Sequence, residues 1–131
     1  QYTHQFSDQH SLSGGLGFVW MRSRSSDTIP SLYVSNHARE LINFNVMYRY
    51  KKIALSTNGL FKARRPQPIA APFVPISADY FILNTRVDLF LLKDKLGVFV
   101  QADNIFNRRY SDLLGSIMPT RWVMGGVKIN L

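Results

Sequence analysis

Residues 39–50 place Ile42, Phe44, Val46, Tyr48 and Tyr50 on every second position, with Asn43, Asn45, Met47 and Arg49 between them. A period of two marks a strand with one apolar and one polar face, because successive side chains point to opposite sides of a sheet. The pattern recurs in residues 53–64, where Ile53, Leu55, Thr57, Phe61 and Ala63 oppose Ser56, Asn58, Lys62 and Arg64. It is clearest in residues 81–92, with Leu83, Thr85, Val87, Leu89 and Leu91 against Asn84, Arg86 and Asp88. Residues 96–106 set Val98, Val100 and Ala102 against Phe99, Gln101 and Asp103. Residues 120–131 set Val123, Val127, Ile129 and Leu131 against Met124, Lys128 and Asn130. In residues 10–24, Leu12, Leu16, Phe18 and Trp20 oppose Ser11, Ser13, Val19, Met21 and Ser23, and Gly14, Gly15 and Gly17 would be costly in a helix. Residues 1–6 put Tyr2, His4 and Phe6 on one face. The expectation is therefore an all-β chain of seven antiparallel strands without a helix.

The connections alternate in length. Residues 7–9, 51–52 and 93–95 are tight polar or charged turns, and the two-residue break at Lys51 and Lys52 predicts a hairpin. Residues 25–38, 65–80 and 107–119 are long loops. The second holds Pro66, Pro68, Pro72 and Pro75, a density that excludes both helix and interior strand. Short turns at one end and long loops at the other are the layout of an up-and-down transmembrane β-barrel.

At 131 residues the chain is one domain. It has no cysteine, which excludes a disulfide framework and a thiolate metal site. It carries 16 lysines and arginines against 8 acids, a formal charge of +8, spread as singles and pairs. Such a spread reads first as a solvated surface. No apolar run reaches the roughly eighteen residues of a transmembrane helix, and no signal peptide is recognisable. The chain opens at Gln1 rather than methionine, which predicts a processed form or the tail of something longer.

Alternation alone leaves open whether the apolar face meets lipid or the core of a soluble sandwich or barrel. Three features favour lipid. The polar face bears long or charged side chains at mid-strand (Arg49, Lys62, Arg86, Asp88, Asp103, Lys128), which suits a wide hydrated lumen. Aromatic residues gather near strand ends (Trp20, Tyr48, Tyr50, Tyr80, Phe81, Trp122), as interfacial girdles do. The chain also finishes on a strand, with Gly126 followed by alternating Val127, Ile129 and Leu131.

The last stretch carries Asp103-Asn104-Ile105-Phe106-Asn107-Arg108-Arg109-Tyr110, then Met118-Pro119-Thr120-Arg121, then Gly126 to Leu131. This resembles the closing hairpin of TonB-dependent outer-membrane receptors, which are large plugged barrels. Thr120 stands where glycine is usual in that family, and Leu131 where an aromatic is usual. The hairpin around Tyr48, Tyr50, Lys51 and Lys52 also resembles the family. The resemblance implies a C-terminal barrel portion, residues 1–131, in the bacterial outer membrane. Its function would be active uptake of a scarce nutrient such as a siderophore, a cobalamin or a glycan. Partners would be outer-membrane lipid, the rest of the barrel and its plug domain, and TonB through segments this chain lacks. It implies a structural seam at Asn104, Phe106, Tyr110, Met118, Pro119, Arg121, Gly126 and Leu131. Independently of the resemblance, Asn104 and Asn107 are placed to bond local backbone where the strand leaves the sheet. Phe106 and Tyr110 offer rings to neighbours, and Pro119 delivers Arg121 and Trp122 to the strand top.

Bacterial single-chain barrels have even strand numbers. Seven strands leave open edges, which lipid does not tolerate, so the expectation is a partial barrel from a larger receptor. A small autonomous barrel remains open if an eighth strand lies in residues 31–37. A soluble β-barrel holding an apolar ligand is a third reading. No catalytic, cofactor or nucleic-acid motif is present, and His4, His10 and His37 lack metal-binding spacing. Asp88 and Asp103 fall on one polar face, where ion pairing with Arg86 or Lys128 is the simpler reading than a catalytic dyad. Arg64, Arg65, Arg108 and Arg109 flank the long loops and are candidate contacts for an anionic ligand.

Overall fold

The alternating segments join into a single sheet. The computed structural model describes residues 1–22, 38–64, 77–92, 95–112 and 116–129. In them the strands are β1 (Tyr2–Ser7), β2 (His10–Trp20), β3 (Glu40–Tyr50), β4 (Ile53–Ala63), β5 (Asp79–Leu91), β6 (Leu96–Asp103) and β7 (Trp122–Ile129). They pair in chain order, each antiparallel to the next. No helix occurs among the described residues. The possible extra strand in residues 31–37 lies outside them.

Register turns seven alternations into two continuous faces. One rung aligns Leu12, Tyr48, Leu55, Val87 and Val100; the rung below aligns Tyr50, Ile53, Leu89, Val98 and Val127. A one-residue slip at any pairing would break this row, so the apolar pattern itself fixes the register. On the opposite face one rung carries Asn45, Asn58 and Asn84.

The exposure of these faces inverts that of a soluble domain. Leu16 is 77% exposed and Val127 64%, on the apolar face. Ala54, on the polar face between exposed Ile53 and Leu55, is 7% exposed. In β6, Val98 and Val100 are exposed while Phe99 and Gln101, which alternate with them, are partly shielded. No large side chain among the described residues is fully buried. Among the described residues there is no second layer to make a core.

Several strand limits differ from the sequence expectation. β5 starts at Asp79, inside the stretch read as loop, because Asp79 and Tyr80 pair with Ala63 and Lys62. β6 stops at Asp103 rather than at residue 106, because Asn104 turns the chain at a positive φ of 51°. β7 begins at Trp122, opposite Asp103. At the short-turn end Lys51 takes φ 51°, and adjacent turns are tied by bonds from Lys51 N to Gln9 O (2.7 Å) and from Phe90 N to Lys52 O (2.7 Å).

β1 pairs only with β2, and β7 only with β6, among the described residues. These outer strands run in the same direction, so joining them would need a parallel pairing inside an otherwise antiparallel sheet. Among the described residues the sheet accordingly stays open, with β1 and β7 at its edges.

Candidate functional site

The polar chemistry concentrates at the long-loop end. β4 carries Lys62 on the polar face, and Arg64 follows just past its last residue. β5 brings Tyr80 opposite Lys62. The chain after β6 returns over this corner and inserts Asp112. Lys62 Nζ and Tyr80 Oη each donate to Asp112 Oδ1 at 2.8 Å, and Arg64 donates to the same oxygen. Arg64 also reaches the Asp112 carbonyl at 3.4 Å. Its side chain is only 2% exposed, and its Nε has no partner.

Around this hub the loop is stitched down. Ser77 N donates to Ser111 O, and Ser111 N to Ser77 Oγ, both at 3.0 Å. The Ser111 hydroxyl donates to Ser116 O at 2.6 Å. The Tyr110 ring lies 4.5 Å from that of Tyr80, and Met118 N donates to Tyr110 O at 2.9 Å. Burial alone would raise the Asp112 carboxyl. The hydrogen bonds from Lys62, Arg64 and Tyr80 outweigh it and lower the carboxyl to about 2. Burial, and then the Asp112 charge, raise the Tyr110 phenol.

The second construction is the turn at Asn104, 4% exposed. Its backbone N–H donates to Asn84 Oδ1 (2.9 Å), and Asn84 Nδ2 donates in turn to Asn58 Oδ1 (3.0 Å). The Asn104 amide donates to the carbonyls of Arg108 (2.8 Å) and Pro119 (3.4 Å), while its Oδ1 accepts from Arg108 N (2.9 Å). Asn107, at φ 55°, accepts from Arg121 N at 3.1 Å. Both asparagines thus bond local backbone where β6 leaves the sheet, as their chemistry predicts. Asparagine is also the residue that tolerates a left-handed conformation best after glycine.

The other residues of the motif stand around these turns. Phe106 is exposed, with its ring 6.0 Å from that of Phe81. Pro119 is held through its carbonyl by Asn104, just before Arg121. Gly126 lies under the Phe99 ring, where an added Cβ would stand 2.7 Å from a ring carbon. The Arg86 guanidinium lies over the same ring, 3.9 Å from its centroid. Leu131 and Arg65 lie outside the described residues. Arg108 and Arg109 are exposed, whereas Arg64 is turned inward to Asp112.

Asp88 and Asp103 do not meet. Register puts Asp88 opposite Phe99 and Asp103 opposite Trp122, four residues apart along β6, or about 13 Å. Asp88 pairs with Arg86, the partner expected of it, at 2.7 Å. Asp103 accepts instead from Gln101 (3.1 Å) and Trp122 Nε1 (2.8 Å). Among the described residues no three His, Asp or Glu side chains could hold a metal ion.

Asp112 escaped the sequence reading, yet a signal existed. Lys62 and Arg64 sit two positions apart at the polar corner of a strand end, and two such cations call for an anion. Asp112 is the one aspartate or glutamate between residues 104 and 131. Compared with protein-family models, curated proteins and solved structures, the chain gives no match.

Proposed function

We propose that this chain is a section of wall from an outer-membrane β-barrel, the C-terminal portion of a TonB-dependent receptor. The observation that carries the membrane reading is the continuous apolar face, in register across the sheet and, along β2, β5, β6 and β7, more exposed than the polar face behind it. Water would penalise such a surface at about 25 cal/mol per Å², and monomeric soluble proteins rarely expose one this extensive. Lipid removes that penalty. The dimensions agree: β2, β3 and β4 have 11 residues each. At about 3.3 Å per residue and a tilt near 40°, such a strand spans about 28 Å, close to the height of a bilayer's apolar band.

The receptor assignment rests on the Asn104-to-Tyr110 and Met118-to-Arg121 motifs and on the free sheet edges, which further strands would cover. In that setting the polar face lines the lumen, and the strapped loop lies on the outer surface. The cargo would be a scarce nutrient such as a siderophore, a cobalamin or a glycan. Partners would be the plug domain and TonB, through segments outside this chain.

The test is the medium in which the chain folds. Strand-rich circular dichroism in detergent, but not in plain buffer, is expected, without the heat-modifiable gel mobility of a closed barrel; heat-modifiable mobility would favour a small autonomous barrel instead. A folded, soluble monomer in buffer would contradict the membrane reading and favour a soluble barrel holding an apolar ligand.

A further inference from the structure

Among the described residues the two ends of the sheet carry different cations. At the long-loop end stand Arg22, Arg39, Arg64, Arg108, Arg109 and Arg121; at the short-turn end stand Lys51, Lys52, Lys95 and Lys128. The residues that break this partition are engaged inside the sheet. Arg49 lies over the Phe90 ring, Arg86 pairs with Asp88, and Lys62 pairs with Asp112. Arg64 is also taken up by Asp112. Arg22, Arg39, Arg108, Arg109 and Arg121 remain, all exposed. Of these, Arg39 alone has an ion-pair partner among the described residues, Glu40, at a loose 4.0 Å.

Charge for solubility does not discriminate arginine from lysine. Geometry does: the guanidinium fork binds phosphate through two parallel hydrogen bonds, whereas an ammonium acts as a point charge. The rim also sits at a particular level. Arg22 lies two residues beyond Trp20, Arg121 two before Val123, and Arg108 two after exposed Phe106. Aromatic residues followed by cations at the end of an apolar band mark the depth of lipid headgroups. From β2 to β7 the rim covers five strand spacings, or about 24 Å, which suits a row of headgroups better than one small anion.

We propose that this arginine rim binds the phosphates of anionic lipids in the leaflet on the long-loop side, favouring terminal phosphomonoesters. Such a group carries about −1.5 to −2 charge near neutral pH and three open oxygens for a fork to grip. The proposal rests on the membrane reading and adds a lipid partner for one end of the sheet.

The two tryptophans, Trp20 and Trp122, both lie at this end, so their emission reports on it. The full chain is placed in micelles of a zwitterionic detergent and titrated with phosphatidylcholine, phosphatidylglycerol or phosphatidic acid. An apparent affinity for phosphatidic acid about five-fold or more above that for phosphatidylglycerol is expected, with no response to phosphatidylcholine. Changing all five arginines to lysine should abolish the preference while keeping a charge-driven response. R108Q/R109Q, confined to an exposed turn, should weaken binding of both anionic lipids; K51Q/K52Q at the far end should change neither. Equal responses to all three lipids, or no effect of the arginine changes, would overturn the proposal and leave the membrane reading standing. Saturation by inorganic phosphate alone would overturn it in favour of a soluble-anion site. A chain that stays out of every micelle would overturn both readings.

Discussion

Replacing Asp112 with asparagine keeps the shape of the side chain and removes the charge that balances two cations. Lys62 and Arg64 are 16% and 2% exposed, and both spend hydrogen bonds on the same carboxylate oxygen. Removing one partner of a buried ion pair typically costs about 3–5 kcal/mol, because the remaining charge is left without compensation. Asp112 is 30% exposed, so water reaches part of the hub and the expected loss is about 2–3 kcal/mol. Acid should act in the same direction. The folded carboxyl sits at about 2, below its ordinary 3.8, so its contribution is fully present above 3.8 and is lost as pH falls through about 2. That interval corresponds to about 2 kcal/mol, or about 1 kcal/mol once solvent screening is allowed for. The assay is urea unfolding of the micelle-folded chain between pH 2 and 7, with hydrogen exchange read at the Ser77 and Ser111 amides. D112N should lower the midpoint, flatten the acid limb and speed exchange at both amides. Combining D112L with both K62M and R64M should restore part of the loss, since no charge is then stranded. A D112N chain with an unchanged midpoint and unchanged exchange would refute the claim that this carboxylate holds the loop down.

Other perturbations separate the remaining features. Asn104→Ala removes a buried amide that donates to Arg108 and Pro119, and places alanine at φ 51°; about 2–4 kcal/mol should be lost and the 104–121 loop should become protease-sensitive. Gly126→Ala should cost about 1–3 kcal/mol through overpacking against Phe99, measured as a drop in unfolding midpoint, and F99L should recover most of it.

Much of the sheet was legible because period-two alternation fixes both the strand and its faces. The strands around Val46, Leu55, Val87 and Val98 follow directly from it, and the register then aligns them without further information. The strand ends were less legible because distant contacts set them. Tyr80 follows a proline-dense stretch, yet it enters β5 because Lys62 offers a pairing partner and Asp112 a bond for its hydroxyl. β6 ends early because Asn104 bonds Asn84 on the neighbouring strand, twenty residues back in sequence. The Asp112 hub was hard to read for the same reason: Lys62 and Asp112 are fifty residues apart, and only two neighbouring cations in need of an anion pointed to it. The local bonding of Asn104 and Asn107, by contrast, followed from side-chain chemistry alone. The arginines at 64 and 65 looked alike in sequence, but burial removes Arg64 from any role at the loop surface.

The account stands on which face meets lipid, and the two tryptophans allow that to be read directly. Trp20 shares the apolar face with Leu16 and Phe18; Trp122 lies on the polar face, its indole N–H bonded to Asp103. In bilayers of lipids brominated high on the acyl chain, the W122F chain, which keeps Trp20, should lose most of its fluorescence. The W20F chain, which keeps Trp122, should keep most of its own. Strong quenching of Trp122 with Trp20 spared would turn the sheet inside out and contradict the account.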